Sequence, residues 1–98
     1  MRLPNKFIGY MKLSVYSLKK VLFQGEAELL NCKTALGEVT VLDHHETFIG
    51  VLKPGVMRVV EKKLASATGS GEAREHFFEI KSGFLEVQRN NEVRCIVE

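Results

Sequence analysis

Turn-forming residues cut this chain into short pieces, and their spacing limits the fold more than any other feature of the sequence. Lys53-Pro54-Gly55, Ser82-Gly83 and Asn90-Asn91 separate apolar runs of only about five to seven residues. Proline fixes φ and glycine admits conformations closed to other residues, so these sites read as turns for a mechanical reason. An amphipathic helix needs a longer uninterrupted stretch with apolar residues every three or four positions, and that periodicity is weak throughout. Period two is clearer. Leu13, Val15 and Ser17 alternate with Ser14, Tyr16 and Leu18, and Val39 and Val41 alternate with Thr40.

The pattern predicts strands over 12–17, 27–33, 38–42, 47–52, 56–61, 75–81, 84–88 and 93–97. Leu30 and Cys32 share one face of the second strand. Phe77 and Phe78 are adjacent and so take opposite faces, and Phe84 is expected to pack inward. Residues 65–74 are small and polar and read as a hairpin loop, and Asn90-Asn91 tolerates positive φ. Short strands at this spacing make the chain all-β, a sandwich or a barrel.

A chain of 98 residues is one ordinary domain. It can bury roughly 65% of its unfolded surface. Its hydrophobic content, 45%, is too high for disorder. No apolar run approaches the ~20 residues of a membrane-spanning helix, so any contact with a membrane is expected to be peripheral or through a partner. A net charge of +2 gives no argument for nucleic acid. Residues 1–25 hold Arg2, Lys6, Lys12, Lys19 and Lys20 before the first acid, Glu26. That charge pattern resembles an organellar transit peptide, but strand alternation begins near residue 12. The expected division is an extension over 1–11 and a folded domain over 12–98.

The candidate motifs do not assemble a reaction centre. Asp43-His44-His45-Glu46 has metal-ligand residue types, yet neighbours on an extended chain point to opposite sides and His76 is remote. Gly69-Ser70-Gly71 lacks the strand-turn-helix context of a nucleophile elbow. No glycine-rich loop ends in Gly-Lys-Ser/Thr. Phe77 and Phe78 present at most one ring per face, a poor stacking platform for bases. Cys32 and Cys95 lie in apolar runs without metal-type spacing and read as reduced, buried thiols. The residues alone therefore describe a non-catalytic binding module with no cofactor, no metal and no nucleic-acid partner.

Several segments, in order, resemble the epsilon subunit of F-type ATP synthases. They are Leu13-Ser14-Val15-Tyr16-Ser17, Leu22-Phe23-Gln24-Gly25, Gly37-Glu38-Val39, His45, Leu52-Lys53-Pro54-Gly55-Val56-Met57-Arg58-Val59 and Ser82-Gly83-Phe84-Leu85-Glu86-Val87-Gln88. The match runs from about residue 12 to the end. It implies a flattened two-sheet β-sandwich of short, mostly antiparallel strands, with Gly25 closing a first hairpin. It also implies a central-stalk role, linking the gamma subunit to the c-subunit ring and coupling ion translocation to ATP synthesis. Leu36, Glu38, Thr40 and Glu46 are then expected to face the c ring, and His45 to lie near gamma. The implied location is the cytoplasmic face of a bacterial inner membrane, as a peripheral part of the complex. The family commonly has glycine before this histidine and proline two positions after it, where His44 and Thr47 stand here. The helical hairpin that follows the sandwich in the family is not in this sequence, so neither its inhibitory switch nor its ATP binding is expected. A free-standing β-sandwich adaptor is the other reading of the same residues.

Overall fold

The computed structural model describes residues 10–62 and 74–98. Among them are eight strands: β1 (Met11–Tyr16), β2 (Val21–Thr34), β3 (Gly37–Leu42), β4 (Phe48–Leu52), β5 (Gly55–Glu61), β6 (Glu75–Ile80), β7 (Gly83–Val87) and β8 (Glu92–Val97). The Gly69-Ser70-Gly71 motif and all of the expected 65–74 loop except Arg74 lie outside the described residues.

Every expected strand forms, and the largest departure is β2. It begins at Val21 instead of residue 27 and runs for 14 residues. Gly25 therefore closes no hairpin. It lies inside β2 opposite Leu13 of β1. The turn occurs earlier because Ser17 builds it: its hydroxyl accepts hydrogen bonds from the Lys19 and Lys20 amides at 3.2 and 3.3 Å. Met11, assigned above to the extension, opens β1 and is buried, because the inward series Met11, Leu13, Val15 keeps the strand's period of two.

The strands make two layers, β1-β8-β7-β4 and β3-β2-β5-β6, joined through the long strand. The first part of β2 pairs with β1, and the second part lies between β3 and β5. The change of partners coincides with a register shift between Ala27 and Leu29, a bulge that bends the strand from one layer into the other. At its far end Thr34 meets Leu52 of β4. β1 and β8 run parallel, and the other pairs are antiparallel. This is the two-sheet sandwich expected.

Inward residues of both layers form one core. Met11, Leu13, Leu30, Met57 and Leu85 are its largest buried side chains, each contributing roughly 1.5–3 kcal/mol on burial. Cys32 of β2 and Cys95 of β8 are free thiols in this core. Burial pushes the Cys32 thiol up to about 11. It pushes Cys95 further, with a smaller contribution from the charge of Cys32.

Two turns need glycine. Gly37 (φ 121°) follows the β2–β3 turn, where the buried Thr34 hydroxyl donates to the Gly37 carbonyl at 2.9 Å. Gly83 (φ 150°) is tighter: a Cβ there would lie 2.3 Å from the Ile96 carbonyl oxygen. Gly55 differs from the expectation. Its φ is not positive, and its bare Cα instead makes room for the Lys33 stem, whose Cδ lies 2.8 Å from where a Cβ would be.

Candidate functional site

The residues singled out in the sequence fall into two groups. Leu36 stands fully exposed in the turn before β3, and Glu38 and Thr40 project outward along that strand, with Val39 and Val41 turned inward. Across the register they face Lys33 and Asn31 of β2. The Asn31 side-chain amide donates to the Thr40 hydroxyl at 2.9 Å. His45 and Glu46 lie beyond the other end of β3, six residues or about 20 Å away. The five residues therefore do not form one surface.

Asn91 ties the 43–46 loop to the β7–β8 turn, and the His45 amide donates to the Leu42 carbonyl at 3.2 Å. Asn91 sits in the β7–β8 turn with φ 63°. Its side-chain amide donates to the Tyr10 carbonyl at 2.9 Å and to the Asp43 carboxylate at 2.8 Å. Its side-chain oxygen accepts the His44 backbone N–H at 2.8 Å. His44 itself adopts φ 59°, a conformation suited to the glycine the family commonly has there. Its ring nitrogen Nδ1 lies 2.8 Å from Asp43. The His45 ring turns elsewhere, with Nδ1 2.9 Å from the Glu46 carbonyl oxygen and its centroid 5.3 Å from Phe48. The two histidines thus serve different partners. Among the described residues no group of three or more His, Cys, Asp or Glu side chains is arranged to hold a metal ion.

One apolar feature was not read from the sequence. On the outer face of β1-β8-β7-β4, the register sets Val51, Phe84, Ile96 and Tyr16 in one row. Ile49 begins the next row, ahead of Glu86, Arg94 and Ser14. Ile49, Val51, Phe84 and Ile96 keep 72, 49, 56 and 45% of their surface exposed. Phe84, expected to pack inward, points out, because its neighbours Leu85 and Gly83 fix the parity of β7 and Leu85 fills the core. Leu18 joins this face, and with Val51, Gly83, Phe84 and Ile96 it lines a shallow apolar groove. A signal was present. Phe48-Ile49-Gly50-Val51-Leu52 and Cys95-Ile96-Val97 are apolar at both parities, the pattern of a strand covered on both sides.

Residues 10–98 match the family model for the β-sandwich domain of the ATP synthase delta/epsilon chain. The chain belongs to this family. The ATP synthase epsilon chain of Hydrogenovibrio crunogenus is 38% identical over 78 residues, 80% of this chain and 47% of the relative. That of Clostridium novyi is 33% identical over 76 residues, 78% of this chain and 51% of the relative. The chain thus spans about half the length of the epsilon chains it matches. Among solved structures, a chain of the Euglena gracilis mitochondrial ATP synthase OSCP/F1/c-ring assembly aligns with TM-score 0.71 and 21% identity, covering 99% of this chain and 53% of its own length. A chain of the Tetrahymena thermophila mitochondrial ATP synthase central stalk and c ring aligns with TM-score 0.67 and 17% identity, covering 89% of this chain and 62% of its own. At these identities the structural likeness speaks for the fold. Membership rests on the delta/epsilon family match and the epsilon-chain relatives.

Proposed function

We propose that this domain is a non-catalytic part of the ATP synthase rotor, bridging the gamma subunit and the c ring so that ion flow and ATP synthesis turn together. The observation that carries the reading is the open apolar face of β1-β8-β7-β4. A sheet with apolar residues on both sides needs cover on both sides. The core covers one, and a permanent partner with an apolar centre suits the other. In this reading gamma covers Ile49, Val51, Phe84 and Ile96. His45 borders the same contact through Phe48, the residue before Ile49. The c ring meets the β2–β3 turn through Leu36, Glu38 and Thr40, and Glu46 goes with His45 toward gamma instead. A close-packed sandwich suits the role because it transmits strain with little deformation. Membrane attachment is peripheral, through the complex, and the named bacterial relatives favour the cytoplasmic face of a bacterial inner membrane.

The test is binding to the gamma subunit of the same source, by co-purification and then calorimetry. Tight stoichiometric binding that Phe84→Asp abolishes is the expected result. No binding by the folded chain would favour a free-standing adaptor. For the ring contact, Glu38→Arg is expected to weaken seating on the c ring while the domain stays folded. Unchanged assembly and coupling in that variant would remove Glu38 from the interface.

A further inference from the structure

The end of the sandwich that carries the β2–β3 turn is strongly basic, and among the described residues the ammonium groups of its lysines form no ion pairs. The turn at 35–36, the Lys53-Pro54 turn and the Ser82-Gly83 turn lie side by side. The Ala35 amide donates to the Val51 carbonyl and the Lys53 amide to the Lys33 carbonyl, both at 2.9 Å, while Gly83 pairs with Leu52. Leu18 lines the groove beside Ser82 and Gly83, which brings Lys19 and Lys20 to the same end. Lys19, Lys20, Lys33, Lys53 and Lys81 are all exposed there. Among the described residues none of the five forms an ion pair, whereas Arg58, Lys62, Arg74 and Arg94 all do.

Acids at this end are fewer. Glu38 faces Lys33 across the β2–β3 register, and Glu79 lies one strand further in, opposite Val56. Glu98 is engaged by the Ser82 hydroxyl, which donates to its carboxylate at 3.0 Å. Two leucines stand out among the lysines on loop tips, Leu18 with 92% and Leu36 with 95% of its surface exposed. The far end is different: Asp43 accepts from Asn91 and Glu26 pairs with Lys62.

We propose that this lysine-rich end rests on an anionic phospholipid surface. Lysines attract acidic headgroups, and each adds to the attraction within a Debye length of the membrane. The exposed Leu18, beside Lys19 and Lys20, reaches the boundary between headgroups and acyl chains, where an apolar side chain loses contact with water. The c ring takes Leu36 in the stalk reading but leaves Leu18 and these lysines unused, and an anionic lipid surface uses both. The inference deepens the stalk reading, since the end that would meet the c ring is also the end nearest the bilayer.

The test is co-sedimentation of the 98-residue chain with vesicles of phosphatidylcholine alone and of phosphatidylcholine mixed with phosphatidylglycerol. The chain is expected to bind the mixed vesicles, to ignore the neutral ones, and to release as salt is raised. The pair Lys53→Glu, Lys81→Glu should lower partitioning by at least about tenfold. The pair Lys12→Glu, Arg89→Glu makes the same change of net charge at the far end and should keep partitioning within about twofold. Equal loss from both pairs would reduce the effect to net charge and overturn the proposal. So would absence of binding to mixed vesicles, or equal binding to neutral ones. Capture of the chain by detergent-solubilised c ring, lost in Lys53→Glu, Lys81→Glu while vesicles are ignored, would assign the end to a protein partner instead. Gamma affinity measured on the same preparations separates the two readings. Gamma binding without vesicle binding rejects only the lipid contact; failure to bind gamma rejects the stalk role.

Discussion

The two outer faces of the sandwich obey the same alternation and end in different states. Behind both, every second residue fills the core. The outer face of β3-β2-β5-β6 pairs several of its polar groups with one another, and its exposed apolar residues, Leu42, Val56 and Phe77, stand among them. Thr40, Asn31, Arg58 and Phe77 form one cross-strand row, in which Asn31 bonds Thr40, while Arg58 reaches Glu75 at 3.1 Å. The outer face of β1-β8-β7-β4 carries Val51, Phe84 and Ile96 in a row, each about half exposed, and among the described residues no strand covers them. A face that pairs its own polar groups is finished in water, and one that leaves a row of large apolar side chains open is finished only by a partner.

The sharpest way to break the apolar face is at Gly83. A Cβ there collides with backbone, 2.3 Å from the Ile96 oxygen and 2.9 Å from the Val97 Cα. Gly83→Ala is therefore expected to cost about 3 kcal/mol or more in chemical denaturation, or to prevent folding. Gly37→Ala, on the other layer, meets no atom within 4 Å and suffers only its φ of 121°, so about 1–2 kcal/mol is expected. Equal costs at the two sites would mean that the close approach of β7 to β8 does not matter.

Next in size is the effect on binding. Phe84→Asp with Ile96→Asp should weaken gamma affinity at least about a hundredfold, roughly 2.7 kcal/mol. Phe77→Asp on the opposite face, where Phe77 is also exposed, should change it less than about threefold. If the reverse held, the partner would sit on the polar face.

Alkaline pH probes the core both faces share. Burial raises Cys32 from 9.0 to about 11 and raises Cys95 as well. The folded state then keeps protons that the unfolded chain has released. The stabilisation is complete below pH 9 and is lost as pH rises through the folded value, so unfolding free energy should decline between about pH 9 and 11. Replacing both cysteines with alanine should flatten that decline. The smallest effect belongs to the polar face: Arg58→Ala breaks an exposed ion pair with Glu75 and should cost about 0.2–1 kcal/mol in thermal unfolding at low salt.

The sequence by itself determined the number of strands, the alternation along them and the family. Val39 and Val41 against Thr40, and Phe77 against Phe78, were legible because side-chain direction on a strand alternates with a period of two whatever the tertiary structure. The glycine turn at 83 was legible because few other residues can occupy it. The course of β2 was not. A bulge near Glu28 and a hydroxyl-built turn at Ser17 leave no apolar pattern, so a strand that bends between layers read as a shorter one. The outward parity of Phe84 was not legible either, since adjacent apolar residues do not say which of them the core takes; Leu85 won because β7 packs it between the layers. Nor could the sequence bring Leu18, Lys33, Lys53 and Lys81 to one end, or part Glu38 from Glu46. Those separations are set by register and strand length, which exist only once the strands have paired.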